Sequence, residues 1–474
     1  MLFGVEQVGA SGLQGDDGSR RRIVGMVLFV YVLLIVEGAL RKWVFPEFSQ
    51  ALFFVRDPFV IVIYGMALAS GHWPYRSPWL VAALLLTLVA SVLAMMQLAI
   101  GLGNPQAPVL FAAYGLRNYF FYIPLAFIIA KTFQHEDLRS VAIITLGFLV
   151  LSAGLVVVQF YSPVGSPINV GTSDDPMLQF RGLGLNELHT RPMGLFTSDA
   201  GQRQLVVSAL ALVIASWSGV FSRGKTLEIL LPAATVAVLV CLAFSGSRGA
   251  VLSSGLVVIA ALVAVLRGGQ DAGRGRVFFV LTAISLLAAI IGPFFLGDGL
   301  AAFFERWNGA QQFESEQFSG GIFGRALYGF IDFARLLTVT DLMGFGIGMG
   351  GNAAGLSAAK NGGTELPFYA ETDWARHIVD LGPIVGLVFL VFRMGLVVAV
   401  TRRVMASASV LATLLLGYMG YELLTGQITG QGTINGFVWL FTGFTLAAVN
   451  TNHLDETRSE SAPPAKLGFP NLMR

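Results

Sequence analysis

The sequence is poor in the residues that build disulfide frameworks, metal sites and charged surfaces. Its 474 residues include one cysteine and five histidines, and only 12% of them are charged. Cys241 lies in an apolar run, which excludes a disulfide framework and a cysteine-ligated metal site. The histidines are scattered without the spacing of metal ligands. We therefore expect neither a metal nor a cofactor.

Apolar residues take the place of the missing charges. The chain is 55% hydrophobic and its mean hydropathy is +0.71, whereas roughly 25% of the residues of a soluble protein are charged. A net charge of +2 indicates no nucleic-acid partner. The composition predicts an all-α polytopic membrane protein whose partner is the lipid bilayer.

Apolar segments long enough to cross a bilayer, which takes about 20 residues, recur about twelve times. The predicted spans are residues 23–40, 58–69, 79–100, 109–133, 138–161, 205–221, 227–244, 250–266, 277–296, 381–400, 410–424 and 436–449. They leave an N-terminal tail (1–22), spans one to nine (23–296) with an outer loop (162–204), a large outer loop (297–380), spans ten to twelve (381–449) and a C-terminal tail (450–474).

Lysine and arginine are concentrated in alternate connections between these spans. Every short connection on the side of the N-terminus has at least one of them, and the opposite connections 101–107 and 425–435 have none. Basic residues favour the cytoplasmic side of a membrane. This pattern predicts that both termini are cytoplasmic and that the two long loops lie outside.

A short polar break separates two apolar runs at Phe244-Ser245-Gly246-Ser247-Arg248-Gly249-Ala250. The break places Arg248 at a membrane edge. A cation there is unfavourable unless it has an anionic partner or lies on a water-filled cavity. Arg248 is therefore the first candidate for binding an anionic group.

Charges in the first outer connection and in the fourth span have two interpretations. The charges of the first outer connection either pair with one another, for example Glu37 with Arg41 at i,i+4, or form a basic lining for an anionic substrate; they are Glu37, Arg41, Lys42, Arg56 and Asp57. Arg117, inside the fourth span, is a second candidate for such a lining. Arginine suits this role because its guanidinium stays charged and binds phosphate bidentately.

The loop 162–204 has three arginines near its end. Arg191 is the better candidate because Pro192 and Gly194 restrict the backbone around it. Arg181 and Arg203 are interpreted as charges of a solvated loop.

Arg325 is the first candidate residue in the large loop 297–380. It lies in a segment (324–337) that could form a helix on the membrane surface. The glycine-rich turn 344–350 follows no βαβ pattern, so a nucleotide-binding loop is disfavoured. A tight turn whose backbone closely approaches a ligand is the preferred interpretation.

The loop ends in an acidic stretch before the tenth span. On a helix Asp373, Arg376, His377 and Asp380 share one face. Acids and a histidine at a membrane edge offer a general base, with Glu371 as a further candidate. The alternative is a charged helix start with Asp373–Arg376 and Arg376–Asp380 pairs.

The order of these motifs resembles the O-antigen ligase and Wzy-type polysaccharide polymerase superfamily. The residues that carry the resemblance are Arg191-Pro-Met-Gly-Leu-Phe196, Ser245-Gly-Ser-Arg248-Gly249, Arg325, the 344–350 turn, and the acidic stretch leading into Asp380-Leu-Gly382 and Gly386-Leu387. The segment Glu37-Gly-Ala-Leu-Arg41-Lys42-Trp43-Val-Phe-Pro46 with Arg56-Asp57-Pro58 is similar to an exopolysaccharide polymerase-like subgroup. We therefore favour polymerase over ligase.

The resemblance implies a GT-C-like, metal-independent glycosyltransferase of the bacterial inner membrane. It implies a donor glycan on undecaprenyl diphosphate, a glycan acceptor, a periplasmic active face, and other polysaccharide export proteins as further partners. A transporter or flippase of a lipid-linked or anionic substrate is the alternative from another class, with Arg117 as its best residue.

The resemblance also implies roles for particular residues. The family's histidine position falls on Glu371, so either Glu371 or His377 is expected to activate the acceptor. The donor diphosphate is expected at Arg248, Arg191, Arg325 and Arg117. Supporting roles fall to Asp373, Arg376, Asp380, Arg41 and Arg56, and sugar-stacking roles to Trp307, Tyr369 and Trp374.

Overall fold

The computed structural model describes residues 17–103, 108–170, 182–183, 189–222, 224–267, 273–317, 321–351, 370 and 372–461. The α-helices are α1 (Asp17–Ala39), α2 (Ser49–Leu52), α3 (Asp57–Ala69), α4 (Pro78–Ala99), α5 (Pro108–Leu116), α6 (Ile123–Thr132), α7 (His135–Tyr161), α8 (Asp199–Trp217), α9 (Lys225–Phe244), α10 (Arg248–Arg267), α11 (Gly273–Phe295), α12 (Gly297–Gln317), α13 (Gly321–Val339), α14 (Asp373–Ala406), α15 (Val410–Thr425) and α16 (Gly432–Ser461). The shorter elements are π-helices Leu40–Val44 and Arg117–Phe121, 3-10 helices Pro46–Phe48 and Pro167–Asn169, and strands β1 (Gly182–Leu183) and β2 (His189–Thr190).

The fold is a helical, membrane-embedded bundle, as the composition predicts. In the described part of the chain, eight helical segments are long and apolar enough to cross a bilayer: Asp17–Val44, Pro46–Ala69, Pro78–Ala99, His135–Tyr161, Lys225–Phe244, Arg248–Arg267, Asp373–Ala406 and Gly432–Thr451. The remaining predicted spans also overlap helices, among them α15, which is shorter. The number twelve therefore stays a prediction.

One end of the bundle, which we call the Arg20 end, gathers the connections that are rich in lysine and arginine. Arg20 donates to Asp137 at 2.6 Å, and Lys131 donates to the carbonyl of Gly71 at 2.9 Å. Arg139 donates to the carbonyl of Ser222 at 3.2 Å. These contacts join connections that the charge pattern assigns to one side.

The opposite end, which we call the Arg248 end, holds the long segments. The predicted loop 162–204 contains the two-residue ladder in which Gly182 pairs with Thr190. The predicted loop 297–380 contains α12 and α13, and α13 includes the helix expected over 324–337. Both segments contain regular structure, and their placement as outer loops stays a prediction.

Helix boundaries differ from the predicted spans where polar residues extend a helix. α1 begins at Asp17, which pairs with Arg20 and Arg21 inside the predicted tail. α16 continues to Ser461, into the predicted C-terminal tail. α14 begins at Asp373, with Thr372 as its N-cap. Hydropathy predicts the segment that lies in the bilayer, whereas caps and ion pairs determine the residue at which a helix begins or ends.

A kink divides α14 into a short polar part and a spanning part. Gly382 has a φ of 73° inside this helix and is followed by Pro383, which has no amide hydrogen to donate. A Cβ at Gly382 would lie 2.1 Å from the carbonyl oxygen of Leu342. The acidic stretch therefore forms its own short helix at the Arg248 end, before the chain turns into the bundle.

The glycine turn 344–350 contacts a neighbouring helix. Gly344, Gly346 and Gly348 have positive φ values of 69°, 121° and 88°. A Cβ at Gly348 would lie 2.3 Å from the carbonyl oxygen of Phe111 in α5. The close neighbour at this position is thus protein backbone, and the expected approach of the turn to a ligand stays a prediction.

We expect Gly348→Ala to lower the free energy of unfolding by about 1–3 kcal/mol, because the turn requires a positive φ and leaves no space for a methyl group. Gly351→Ala is the matched control, since its Cβ would meet its nearest neighbour at an ordinary 3.4 Å. Thermal unfolding of the purified protein in detergent compares the two. Equal melting temperatures would show that the turn is not tightly packed.

Candidate functional site

The polar break of the sequence is a tight turn between two helices at the Arg248 end. α9 ends at Phe244 and α10 begins at Arg248. Gly246 makes the reversal with a φ of 55°, and the hydroxyl of Ser247 accepts a hydrogen bond from the amide of Ala250 at 3.3 Å. We call residues 245–247 the 245–247 turn.

Three arginines from different elements meet at this turn. Arg248 follows it directly, and Arg191 donates to the carbonyl of Ser245 at 3.3 Å. The guanidinium of Arg203 packs against Gly249, where a Cβ would lie 2.9 Å from its Nη1. We call Arg191, Arg203 and Arg248 the three-arginine site. The fold thus brings Arg191 and Arg248 together, while their role stays a prediction.

The loop that bears Arg191 is held from two sides. Lys42, on the π-helix after α1, donates to the carbonyl of Gly194 at 2.9 Å. Gln159 of α7 accepts from the amide of Gly194 at 2.8 Å. Gly194 itself has a φ of 58°. The side chains of Lys42 and Gln159 thus fix the backbone at Gly194, close to Pro192.

Each arginine of the site is paired with its own carboxylate. Arg191 lies 2.6 Å from Asp199. Arg203 lies 3.1 Å from Glu422. Arg248 forms a two-pronged pair with Glu314, at 2.8 and 2.5 Å. These three pairs leave the group of six side chains formally neutral.

Arg203 is not the solvated loop charge that the sequence suggests. It lies on α8 rather than in a loop, and its side chain is only 21% exposed. Its Nε is buried without a hydrogen-bond partner among the described residues. Because α8 begins at Asp199, before the predicted span, the helix carries Arg203 into the bundle.

A small cavity of mixed lining lies beside the three-arginine site. Its volume of about 10 Å³ is room for about one water molecule. It is lined by Pro192, Asp199, Gln202, Arg203, Val206, Cys241, Ser245, Ser247 and Ala250. In this conformation the cavity is too small for a phosphate group.

A larger apolar cavity lies near the same turn. It has a volume of about 200 Å³. Its walls come from α9, α10, α11 and α12, and are formed by Leu239, Leu242, Ala243, Val251, Gly292, Leu296, Leu300, Phe303 and Phe304. Trp307 packs on Phe303 and lies 5.9 Å from the guanidinium of Arg248. The three-arginine site and the apolar cavity thus lie near the same turn.

The acidic stretch forms a buried cluster around Asp373. One oxygen of Asp373 accepts from Arg376 at 3.0 Å and from the hydroxyl of Thr429 at 2.8 Å. The other accepts from Arg393 at 2.5 Å. We call Asp373, Arg376, His377, Asp380, Arg393 and Tyr119 the Asp373 cluster. The predicted Asp373–Arg376 pair is present within it.

His377 lies inside this cluster and is fully buried. Its Nδ1 is 3.1 Å from the hydroxyl of Tyr119, and its Nε2 is 3.1 Å from Nη1 of Arg393. The same hydroxyl donates to Asp380 at 3.1 Å. In this conformation both ring nitrogens face protein groups, so His377 has no open side toward a substrate.

The Asp373 cluster is linked to the three-arginine site through the end of α15. Arg393 donates to the carbonyl oxygens of Leu423 and Glu422 and, at 2.6 Å, of Gly426. Glu422 is the residue whose side chain holds Arg203. The buried cluster thus anchors the helix end that supplies a carboxylate to the site.

The carboxylates of the first outer connection are paired with arginines of that connection or of the fourth span. Glu37 lies 3.2 Å from Arg41 and 2.8 Å from Arg56. Asp57 accepts two hydrogen bonds from Arg117, each of 2.9 Å. Arg56 is fully buried. The structure therefore favours the pairing interpretation, although Asp57 pairs with Arg117 and not with Arg56.

Several expected site residues cannot be placed. Glu371, Arg181 and Tyr369 lie outside the described residues. Arg325 lies on α13, but its side chain is also outside the described part. Trp374, on α14, packs against Phe330 and Phe333 of α13, and its Nε1 donates to the carbonyl of Leu424 at 2.8 Å.

Sequence reasoning missed Arg393, Glu422, Glu314, Asp199 and Tyr119. Arg393 and Glu422 fall inside predicted spans, where an ionisable residue by itself signals a site. For Glu314 and Tyr119 the sequence holds no such signal, because their partners are distant in the chain. Asp199 lies close in the chain to its partner Arg191, but it is the first residue of α8 and falls outside the predicted span.

A scan against protein-family models, a search of curated proteins and a search of solved structures each returned no match.

We expect Asp373→Asn to lower the free energy of unfolding by about 3–5 kcal/mol, because it leaves two buried arginines without their carboxylate. The control is Asp17→Asn, whose exposed ion pairs are screened by water, so its effect is expected to be much smaller. Thermal unfolding in detergent measures both. A melting temperature of Asp373→Asn equal to that of the control would mean that the buried pairs do not stabilise the fold.

Proposed function

We propose that this protein is an integral-membrane glycosyltransferase that transfers a glycan from a lipid-linked diphosphate to an acceptor sugar. The observation that carries the proposal is the position of the three-arginine site beside an apolar cavity, at one end of the bundle. A lipid diphosphate has the same two parts, an anionic head and an apolar chain.

The arginines would bind the diphosphate and stabilise the leaving group. When the bond from the sugar to the phosphate oxygen breaks, negative charge grows on that oxygen, and donors already in place lower the barrier most. Arg191, Arg203 and Arg248 lie around one turn. The amides at the start of α10 add to the attraction for an anion, since helix N-termini favour negative charge.

The apolar cavity would hold the lipid chain next to the head. Its residues Leu242 and Ala243 directly precede the 245–247 turn, and Val251 follows Arg248 by less than one helical turn. A chain seated here would lie between α9 and α12 while its diphosphate reached the arginines. Trp307, between Phe303 and Arg248, would lie at the boundary of the two parts.

The acceptor hydroxyl needs a general base to take its proton as the new glycosidic bond forms. The resemblance offers Glu371 or His377 for this role. The burial of His377 favours Glu371 in our proposal, because a base must come within hydrogen-bond reach of the proton that it removes. The supporting role of Asp373, Arg376 and Asp380 would be to hold the short helix that follows Glu371.

The cellular location and the carrier lipid in this proposal come from the resemblance of the motif order. It favours a polymerase of the O-antigen ligase and Wzy-type superfamily, acting at the periplasmic face of a bacterial inner membrane on undecaprenyl-diphosphate-linked glycan. The cytoplasmic placement of both termini comes from the positive-inside pattern. Under this proposal the Arg248 end is the periplasmic end.

We expect Arg248→Lys to reduce turnover by about 10²-fold, because lysine keeps the charge but loses the planar fork that matches phosphate. Arg335→Lys is the matched control: Arg335 lies on α13 with a mostly exposed side chain. Purified proteins are given a lipid-diphosphate-linked glycan, and new glycosidic bonds are measured as a ladder on a gel. Wild-type turnover of Arg248→Lys at normal expression would contradict the proposed role.

A clean deletion strain distinguishes the proposed reaction from its alternatives. Loss of long polymer, with single repeat units on the lipid carrier, is expected for a polymerase. Long polymer retained on the carrier and absent from lipopolysaccharide would indicate a ligase instead. Purified protein that moves labelled lipid across a vesicle membrane without forming a bond would indicate a transporter.

A further inference from the structure

The three carboxylates of the arginine site differ in where they come from. Asp199 is on α8 together with Arg203, and Glu422 is on α15, so both belong to the bundle. Glu314 is on α12, in the predicted large loop. Its partner Arg248 is 24% exposed, whereas Glu314 is 1% exposed. Glu314 is therefore a buried carboxylate brought to the site by a separate segment.

Glu314 occupies the edge of Arg248 that a phosphate would use. Its two oxygens contact Nη1 and Nη2 at 2.8 and 2.5 Å. Planar two-pronged binding of this kind is the geometry that arginine offers to carboxylate and phosphate alike. A phosphate can therefore gain this edge only by replacing Glu314.

A site that contains arginines at a membrane edge must discriminate between different anionic lipids. Anionic phospholipids are abundant in membranes and are attracted to arginine and lysine near the surface. The apolar cavity beside Arg248 would accept part of an acyl chain as readily as another lipid chain. Without a competitor, the most abundant anionic lipid would fill the site.

We propose that Glu314 is a specificity-determining residue that excludes monoanionic phospholipids from Arg248. This inference rests on the proposed function. A lipid that replaces Glu314 gains only the difference between two interaction free energies, its own with Arg248 and that of Glu314 with Arg248. Selectivity is likewise a difference of affinities. A phosphodiester has one negative charge, as Glu314 has, and gains little. A diphosphate brings more charge and more acceptor oxygens, and it also reaches Arg191 and Arg203.

The small cavity beside Arg203 agrees with this assignment. At about 10 Å³ it admits one water molecule and no phosphate. A phosphate can therefore enter this cavity only if the site opens. The Arg248–Glu314 pair is the one whose carboxylate lies on α12, whereas Asp199 lies on α8 and Glu422 on α15.

The experiment compares Glu314→Gln with Glu316→Gln, an exposed glutamate on the same helix. Both variants remove one negative charge from α12, but only the first removes it from Arg248. Full-length proteins in neutral phosphatidylcholine nanodiscs are titrated with undecaprenyl diphosphate and with dioleoyl phosphatidylglycerol. The readout is the selectivity ratio, which is the dissociation constant for phosphatidylglycerol divided by that for undecaprenyl diphosphate.

We expect Glu314→Gln to bind phosphatidylglycerol about tenfold more tightly, which is the loss of one competing charged pair. Its affinity for undecaprenyl diphosphate should change less, so the selectivity ratio falls. Glu316→Gln should keep the ratio of the wild type. Glu314→Asp, which keeps a carboxylate of shorter reach, should give an intermediate ratio and provides the test if Glu314→Gln does not fold.

Two results would overturn the inference in distinguishable ways. If the wild type binds undecaprenyl diphosphate but neither Glu314 variant lowers the ratio, Glu314 does not set specificity and the proposed function stands. The same conclusion follows if Glu316→Gln lowers the ratio equally. If the folded wild type does not bind undecaprenyl diphosphate at all, the proposed function fails together with the inference.

Discussion

A cation that is taken out of water at a membrane edge must meet an anion, and this constraint organises the Arg248 end of the bundle. Burial of an unpaired charge is strongly unfavourable, whereas a hydrogen-bonded pair is tolerated. Arg248 meets Glu314 and Arg203 meets Glu422. Because the partners come from different helices, each pair also fixes how two segments pack. The same contacts that satisfy the charges therefore shape the cavity and the turn between them.

The buried Asp373 cluster acts as the framework behind this site. Asp373 satisfies two arginines at once, and one of them, Arg393, binds three carbonyl oxygens at the end of α15. That helix end presents Glu422 to Arg203. The Asp373 cluster thus determines the position of the Glu422 carboxylate. Residues that look catalytic in the sequence, such as His377, serve in this conformation to hold the framework together.

A helical membrane bundle is compatible with many activities, so function must follow from the site and from the order of the motifs. The strongest physical link between structure and function is the presence of arginines and an apolar cavity near one turn. A lipid with an anionic head matches both. The neutral state of the site, in which every arginine has a carboxylate, adds a condition that any ligand must satisfy: it must interact with the arginines better than the carboxylates do.

The sequence by itself determined the membrane class, most helix positions, the 245–247 turn and the candidacy of Arg191 and Arg248, because hydropathy, glycine and an isolated charge act locally along the chain. The tertiary structure decided which charges meet. Glu314 is 66 residues from Arg248, and Glu422 is 219 residues from Arg203, so no local pattern reveals these pairs. It also decided that Arg203 lines a cavity. Long-range pairing depends on how the helices pack, and packing is a property of the whole bundle.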